Sequence, residues 1–398
     1  MRRLVDVVLV VTVLFSCTIF ANTSPVVKQK IGLNYYDAVV RVMRDGGDTD
    51  YQVGFPDLQK RGIPYVRLNG GGAYGVKDWS LYLENKETYF KRLNKVIKAA
   101  ENNHLKLIFT LFWRYTAIPK LMGESISAYG DPNSKTIAFI RKYTKEIVTR
   151  YGDSPAILGW EFGNEYNLVF NLPFKHLKRF FPDKKDHRPE NILRLKDFQY
   201  AMKVFHDTVR QYDKEHFIST GHSVFRTYIY GKITQKNYKQ MMENIILQEN
   251  KYADVISLHL YPWSLNKRKF FRYFHKDFDA LIAFFKDVAN RHHKQLFIGE
   301  FGFCRIKDKK RRYETFLKYL NAFRKYHVDY SAMWVYHRVV DQSCNMTDLD
   351  LNILEYFNNG ESVEVQRIIS SIKKNDQFIK PRKNKKEPRI FLPLYLLQ

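Results

Sequence analysis

Two glutamates in this sequence each close an apolar run. Glu165 follows the segment Ile157–Asn164, and Glu300 follows the segment Leu296–Gly299. A carboxylate beside a buried apolar run is costly unless a site uses its charge. Two such groups can divide the work of bond cleavage, because a protonated carboxyl serves as an acid while an ionised one serves as a base or nucleophile. The pair therefore indicates acid–base and nucleophilic catalysis.

Polar and aromatic side chains end several other apolar runs. They are Arg67, Trp113, Asn164, His259, Tyr261 and Trp334. An arginine or a tyrosine hydroxyl stabilises a neighbouring ionised carboxylate, and an aromatic ring offers an apolar face to a ligand. Four of these six residues have a structural alternative. Arg67 is alternatively a buried ion-pair partner, His259 a hydrogen-bonded core histidine, and both tryptophans part of the core packing. Trp79 and Trp263 are further candidates for the wall of a cleft.

The runs that carry these residues are short and recur along the chain. Eight are apolar through most of their length: Ile31–Tyr36, Tyr65–Asn69, Leu105–Trp113, Ile157–Asn164, Phe217–His222, Val255–Tyr261, Leu296–Glu300 and Tyr330–Tyr336. Amphipathic segments such as Thr136–Tyr151 and Tyr313–His327 separate them and place apolar residues on one helical stripe. This alternation is typical of parallel strands in repeated β/α units, and eight units predict a single closed (β/α)8 TIM barrel.

An open doubly wound sheet is the alternative fold. It would carry a glycine-rich phosphate turn after its first strand, and Asn34–Asp37 offers none. Gly70–Gly72 lacks the required spacing, so we expect it to form a flexible loop at the barrel mouth. We expect Leu168–Asn191 to form a lid or cleft wall. In a barrel the C-terminal ends of the strands face the active site, which would bring Glu165 and Glu300 together.

These strand ends together resemble one group of known enzymes. Asn164-Glu165 on the fourth run and Ile298-Gly299-Glu300-Phe301-Gly302 on the seventh resemble the retaining glycosidases of the four-seven superfamily, with glycoside hydrolase family five, the cellulases and mannanases, as the nearest family. Other ends match in the same order: Val66-Arg67 the family's arginine, His259-Leu260-Tyr261-Pro262 its histidine and tyrosine, and Trp334 its sugar platform. The resemblance extends from Ile31 to Tyr336.

The resemblance implies a role for each carboxyl group. Cleavage with retention uses two carboxyl groups about 5 to 5.5 Å apart, one as nucleophile and one as acid and then base. Glu300 would be the nucleophile and Glu165 the acid/base. Arg67 and the Tyr261 hydroxyl would keep Glu300 ionised, and the charge of Glu300 would raise the pKa of Glu165 so that it holds its proton.

The remaining matches imply contacts with the sugar, and two departures from the family bear on the substrate. Asn164 would bind the sugar 2-hydroxyl in the transition state, and Trp334 would stack on the sugar face. Tyr166 stands where the family usually has a proline after the acid/base. Phe112-Trp113 replaces the histidine at the end of the third strand, where Trp113 would offer a second platform. The second departure disfavours a typical cellulase and favours a mannan or another β-hexose polymer.

The predicted function is therefore that of a retaining glycoside hydrolase acting on a β-linked polysaccharide or oligosaccharide. The alternative is a catalytically silent barrel that binds glycans at a cell surface, although such proteins usually lose one of the two carboxylates. A metal-dependent hydrolase would place His-x-His on the first strand, where this chain has Asn34-Tyr35-Tyr36. No metal or cofactor is expected, and we interpret His292-His293 as surface residues.

The charge of the chain limits its partners. The formal net charge is +25, and basic runs lie at Lys307–Arg312 and Lys373–Arg389. Such a surface attracts polyanions, but no groove-binding helix, zinc finger or RNA-binding motif accompanies it, so a nucleic-acid partner is not predicted. A solvated basic surface and attraction to anionic cell-surface glycans or lipid both remain open, and the protein is expected to be a monomer.

The ends of the chain predict export. Residues 1–21 have the basic start and short apolar run of a signal peptide, residues 25–372 the barrel, and residues 373–398 a basic tail. The protein is therefore expected to be secreted or periplasmic, or a lipoprotein held through Cys17 in a lipobox-like segment. Export permits Cys304 and Cys344 to pair, and the sequence leaves open whether they do.

Overall fold

The described part of the chain alternates strands and helices. The computed structural model describes residues 31–44, 47–71, 75–173, 187–230, 234, 236–338 and 342–359. The strands are β1 (Ile31–Asn34), β2 (Tyr65–Asn69), β3 (Lys106–Phe112), β4 (Ile157–Gly163), β5 (Phe217–Ser219), β6 (Val255–His259), β7 (Gln295–Phe301) and β8 (Tyr330–Met333). The predicted signal peptide 1–21, the tail 373–398 and the middle of the expected lid lie outside the described residues.

Helices occupy the segments between the strands. They are α1 (Ala38–Met43), α2 (Tyr51–Lys60), α3 (Ser80–Glu84), α4 (Lys86–Asn102), α5 (Ala117–Met122), α6 (Lys135–Tyr151), α7 (Leu195–Tyr212), α8 (Tyr238–Glu249), α9 (Pro262–Leu265), α10 (Phe278–Arg291), α11 (Lys309–Lys325) and α12 (Asp348–Asn359). Among the described residues, no helix is both long and apolar enough to cross a membrane.

All the paired strands are parallel, in the order β5-β4-β3-β2-β1-β8-β7-β6. The two end strands also meet, since the Asp254 amide just before β6 donates to the Ile218 carbonyl of β5 at 2.9 Å. The sheet is thus a nearly closed eight-stranded barrel, and the predicted (β/α)8 fold is confirmed.

All eight strands coincide with the predicted runs, but most of them end before the last residue of the run. β5 stops at Ser219 instead of His222, and β8 stops at Met333 instead of Tyr336. Apolar residues past several strand ends are also buried, such as Tyr35 and Tyr36 after β1 and Val335 and Tyr336 after β8, so hydrophobicity alone does not mark where ladder hydrogen bonds stop. The residues beyond the strand ends belong to the loops that build the candidate site.

The barrel interior changes from apolar to polar along the strands. The floor is a cluster of inward-facing residues: Tyr65, Ile108, Phe217, Val255, Phe297 and Ala332. Gly159 leaves room for one of them, because a Cβ at that position would lie 2.4 Å from the Phe217 ring. Two residues further along four of the strands, the same face carries Arg67, Thr110, Ser219 and Ser257, all fully buried. The polar layer therefore lies directly beneath the C-terminal mouth.

Outward-facing strand residues pack against the helices in the main core. Trp79 belongs to this core: it is 1% exposed and packs edge-on against Phe139 and Tyr143. The interpretation of Trp79 as a cleft aromatic is therefore wrong. A tryptophan in the core and a tryptophan in a cleft cannot be distinguished by sequence, since both occur among apolar residues.

Candidate active site

The two glutamates meet at the barrel mouth. Glu300 lies on β7 and is 5% exposed, whereas the Glu165 side chain, just beyond β4, is 30% exposed. One oxygen of each, together with Nδ1 of His259, lies within 4.8 Å of the others. Retaining glycosidases hold their carboxyl groups about 5 to 5.5 Å apart. The spacing therefore suits direct attack by one carboxylate and leaves little room for a water between the pair.

Arg67 is the electrostatic centre of the site. Its side chain is fully buried and donates to Glu300 Oε1 at 2.9 Å, to Glu161 Oε1 at 2.6 Å and to Asn164 Oδ1 at 2.8 Å. It also donates to Asn34 Oδ1 at 3.0 Å. A buried guanidinium is tolerated when carboxylates and further acceptors satisfy it. Arg67 therefore both neutralises the carboxylates and fixes their orientation.

Tyr261 completes the surroundings of Glu300. Its hydroxyl donates to Glu300 Oε2 at 2.7 Å, so each oxygen of this carboxylate accepts a hydrogen bond. Trp263 stacks on the Tyr261 ring at 4.5 Å, and the Arg305 guanidinium lies 4.9 Å from the Trp263 ring. Trp263 thus lies in the cleft, as a support for Tyr261.

His259 lies between the two glutamates. Its Nδ1 is 3.0 Å from Glu165 Oε1 and 3.6 Å from Glu300 Oε1. Burial raises the pKa of Glu165, but the hydrogen bond and charge of His259, with smaller contributions from Ser223 and Arg67, outweigh it and hold that pKa below its usual value. The prediction that Glu165 has a raised pKa in the free site is therefore wrong, because positive charge lies closer to its carboxyl than the sequence could indicate.

A bulge in the β6–β7 pairing aims these side chains. Leu258 pairs with Ile298, but His259 pairs with Glu300, so Gly299 is the extra residue on β7. A Cβ at Gly299 would lie 2.9 Å from His259 Nε2. Bulges redirect a side chain at the cost of local pairing. Here the bulge brings Glu300 alongside His259 at the mouth.

Glu165 has a left-handed backbone, with φ of 56°. Its amide donates to the Gly221 carbonyl at 2.8 Å, and Gly221 is itself left-handed at φ +69°, where a Cβ would lie 1.8 Å from the Gly163 carbonyl. Tyr166, in place of the family's proline, is fully buried and donates to the Phe112 carbonyl at 2.7 Å. The departure at Tyr166 therefore replaces a ring constraint with side-chain packing.

Aromatic residues form one wall of the mouth. Trp334 is partly exposed and lies 5.8 Å from the Tyr36 ring, and a cis peptide bond joins it to Val335. Trp113 is 6% exposed, packs 4.5 Å from Tyr36 and lies 4.8 Å from the Arg67 guanidinium. Trp334 is thus placed to contact a sugar. The burial of Trp113 favours the packing alternative, with its ring supporting Arg67.

Glu161 is a residue of the site that was not predicted from the sequence. It is fully buried in β4 and accepts hydrogen bonds from Arg67, from Thr110 at 2.7 Å and from Ser219 at 2.8 Å. The signal that could have revealed Glu161 is a carboxylate inside an apolar strand. Because successive side chains of a strand point to opposite faces, Glu161 lies on the same face as Gly159 and Gly163. Glu161 holds Arg67 from below, so that Arg67 can direct its other nitrogens to the mouth.

Glu165, His259 and Glu300 also form a cluster of the kind that can bind a metal ion. Arg67 already places a positive charge 2.9 Å from Glu300, which opposes a cation at that position. A carboxylate that accepts two hydrogen bonds beside a second carboxyl group fits nucleophile and acid/base roles.

The loops after β7 and β8 are covalently joined. Cys304 and Cys344 form a disulfide with a Cα–Cα distance of 5.0 Å, which decides the pairing that the sequence left open. Cys344 also packs against the cluster that contains Trp334. The bond therefore fixes the loop that follows Glu300 relative to the wall that bears Trp334.

Known proteins share this sequence pattern and fold. The chain matches Cellulase (glycosyl hydrolase family 5) over residues 29–338. A probable mannan endo-1,4-beta-mannosidase F of Aspergillus flavus is 32% identical over 138 residues, which is 30% of this chain and 30% of the fungal protein.

Solved structures agree at the level of the fold. The endo-beta-1,4-mannanase of Thermotoga petrophila superposes with a TM-score of 0.60 at 15% identity, covering 84% of this chain and 78% of that one. The endo-1,4-beta-mannanase of Rhizomucor miehei gives 0.58 at 17% identity, covering 84% and 94%. Because the family match covers most of the chain, the protein belongs to glycosyl hydrolase family 5, the cellulase family.

Proposed function

We propose that the protein is a retaining glycoside hydrolase, active as a monomer, with Glu300 as nucleophile and Glu165 as acid/base. The observation that carries this proposal is the close pair of carboxyl groups, one hydrogen-bonded by Arg67 and Tyr261 and the other by His259. In the first step Glu300 attacks the anomeric carbon while Glu165 protonates the departing oxygen. In the second step Glu165 takes a proton from a water molecule while the water oxygen attacks the anomeric carbon, and the bond from that carbon to Glu300 breaks, which releases the sugar.

The presence of both carboxyl groups supports an enzyme and opposes a silent glycan-binding barrel. We infer that the substrate is a β-1,4-linked mannan, because the curated relative and both solved structures are named as enzymes of mannan cleavage. The Cys304–Cys344 disulfide supports export, since such bonds persist mainly in oxidising compartments.

Hydrolysis of a panel of polysaccharides tests this function. The mature protein should release oligosaccharides from β-mannan faster than from β-glucan, xylan or chitosan, and early-time NMR should show the β-anomer as the first product. An inverted first product would refute the double displacement, while preference for a β-glucan would refute only the choice of mannan.

The lowered pKa of Glu165 gives a pH prediction. The acid must be protonated for the first step, so kcat/KM on a polysaccharide should be lost as pH rises through this lowered pKa, leaving an acidic optimum. In His259→Ala the hydrogen bond and the charge of His259 are gone and only the smaller contributions of Ser223 and Arg67 oppose burial, so the basic limb should move to higher pH. A folded His259→Ala protein with an unmoved basic limb would contradict this contact.

We also propose that the basic surface docks on an anionic polysaccharide, at a groove between α4 and α6. This concave site of about 1130 Å³ is lined by Lys86, Lys91, Lys95, Lys145 and Arg150. Of its two carboxylates, Glu146 already accepts from Lys86 at 2.8 Å and from Tyr82 at 2.9 Å. A concave basic surface can follow a linear chain, whereas a bilayer surface suits a flat face.

Charge-matched variants test the groove. The triple variant Lys91→Glu/Lys95→Glu/Lys145→Glu should bind immobilised heparin about tenfold more weakly than wild type. With fewer cations in the groove, binding releases fewer of the counterions that are condensed on the polyanion. Lys236→Glu/Lys239→Glu/Lys318→Glu makes the same charge change on other exposed lysines and should bind nearly as wild type. Equal losses in both variants would show diffuse attraction only, and a groove-dependent preference for phosphatidylglycerol vesicles would show that the occupant is lipid.

A further inference from the structure

The short turn that carries Glu165 needs outside support. Glu165 is followed by the 3-10 turn Tyr166–Val169, and its own left-handed backbone is unusual for a residue with a side chain. Such a conformation persists only where the surroundings hold it in place. Tyr166 fixes one side of the turn through the Phe112 carbonyl, and Asn167 fixes the other.

Asn167 joins the turn to the loop after β5. Its side chain is fully buried, and its amide nitrogen donates to the Ser223 carbonyl at 2.7 Å while its oxygen accepts from the Ser223 amide at 3.1 Å. Two residues before Asn167 and Ser223 in the same two loop segments, the Glu165 amide donates to the Gly221 carbonyl. The Ser223 side chain also lies close enough to the Glu165 carboxyl to lower its pKa. Segments 165–167 and 221–223 therefore form one unit around the acid/base.

Glu249 of α8 holds Asn167 from behind. Its Oε2 accepts from Asn167 at 2.7 Å, its Oε1 accepts from Tyr230 at 2.8 Å, and it is 3% exposed. Burial raises the pKa of Glu249 to about 8, against the hydrogen bonds of Asn167 and Tyr230 and the charge of Arg268. At neutral pH this side chain is therefore mostly a neutral acid, so a glutamine can replace it without a change of charge.

We propose that Asn167, held by Glu249, is a positioning residue for Glu165: it keeps the acid/base carboxyl aligned with the departing oxygen. This inference rests on the proposed function. Asn167 is fully buried, so it does not touch the substrate and acts on the reaction through the residues that it holds in place. A displacement of about 1 Å in a catalytic group can cost about 100-fold in rate. Protonation of a poor leaving group depends on that alignment, whereas departure of an activated aryl group does not.

The test compares two leaving groups in three variants. Asn167→Ala and Glu249→Ala should lose about 10- to 100-fold in kcat/KM on the polysaccharide while the burst of aryl alcohol from an activated aryl glycoside survives. Glu249→Gln keeps shape and charge and should behave as wild type. Asn358→Ala is the matched control, because Asn358 is also buried and hydrogen-bonds the Ile31 amide and carbonyl at the start of β1, at the opposite end of the barrel from the turn. It should show no selectivity for the leaving group.

Three results would overturn the inference: equal losses on both substrates in Asn167→Ala, a Glu249→Gln protein as impaired as Glu249→Ala, or the same selective loss in Asn358→Ala. If Asn167→Ala does not fold, Asn167→Asp takes its place, since it keeps the acceptor and loses the donor, and the same selective loss is expected. If Glu165→Ala itself shows no dependence on the leaving group, the proposed function fails instead, so the two failures are distinguishable.

Discussion

Glu300→Ala should lower kcat by at least about 10⁴-fold on every substrate, because no covalent glycosyl-enzyme forms without the carboxylate. The loss should be the same for polysaccharide and activated aryl glycoside, since both need the nucleophile. Steady-state kinetics on purified protein measure it. Arg67 keeps its contact with Glu161 in this variant, so the fold should remain intact.

Azide separates a lost nucleophile from a damaged site. In Glu300→Gly, azide can enter the vacated space and attack the anomeric carbon once, which gives a glycosyl azide of inverted configuration. Glu314→Ala removes an exposed carboxylate on α11 and should leave kcat unchanged. More than a few per cent residual activity in Glu300→Ala, or a rescued product of retained configuration, would show that Glu300 is not the nucleophile.

Glu165→Ala should divide substrates by their leaving group. A polysaccharide has a poor alkoxide leaving group, so its turnover should fall by about 10²- to 10⁴-fold when nothing protonates the departing oxygen. An activated aryl glycoside needs no proton, and its first step should survive. Because no base then activates water, the glycosyl-enzyme should accumulate, and a burst of aryl alcohol should precede a slow steady state.

Azide gives this second variant an opposite signature. It attacks the glycosyl-enzyme without a general base, so it should accelerate the slow steady state and yield a glycosyl azide of retained configuration. The substrate panel first identifies an aryl glycoside that the wild type accepts. Equal losses on both substrate types, with neither burst nor rescue, would mean that Glu165 is structural or that the two glutamates have exchanged roles.

The sequence was sufficient to predict the barrel and the residues that gather at its mouth. Eight apolar runs separated by amphipathic segments have few solutions other than parallel strands covered by helices, and parallel strands present their C-terminal ends at one face. Glu165 and Glu300 therefore had to lie near each other once the fold was known. Arg67, His259, Tyr261 and Trp334 lie there for the same reason.

Only the tertiary structure decided how those residues act on one another. The pKa of Glu165 depends on its contact with His259, which comes from a distant strand, and the placement of Glu300 beside His259 depends on a bulge at Gly299 that no local pattern reports. The burial of Trp79 and Trp113 depends on neighbours that are distant along the chain. The same holds for the Cys304–Cys344 bond, because disulfide formation requires two Cα atoms to approach within a few ångströms.

The residues that support the site also show the difference between what the sequence predicts and what the tertiary structure decides. Glu161, Asn167 and Glu249 are buried polar residues that the sequence did not single out, because each gains its role from partners more than 50 positions away. Sequence periodicity reports which face of an element is buried, whereas hydrogen bonds between elements depend on register, loop path and packing. The sequence by itself thus determined the fold and the candidate reacting groups, and the tertiary structure decided their contacts, orientation and support.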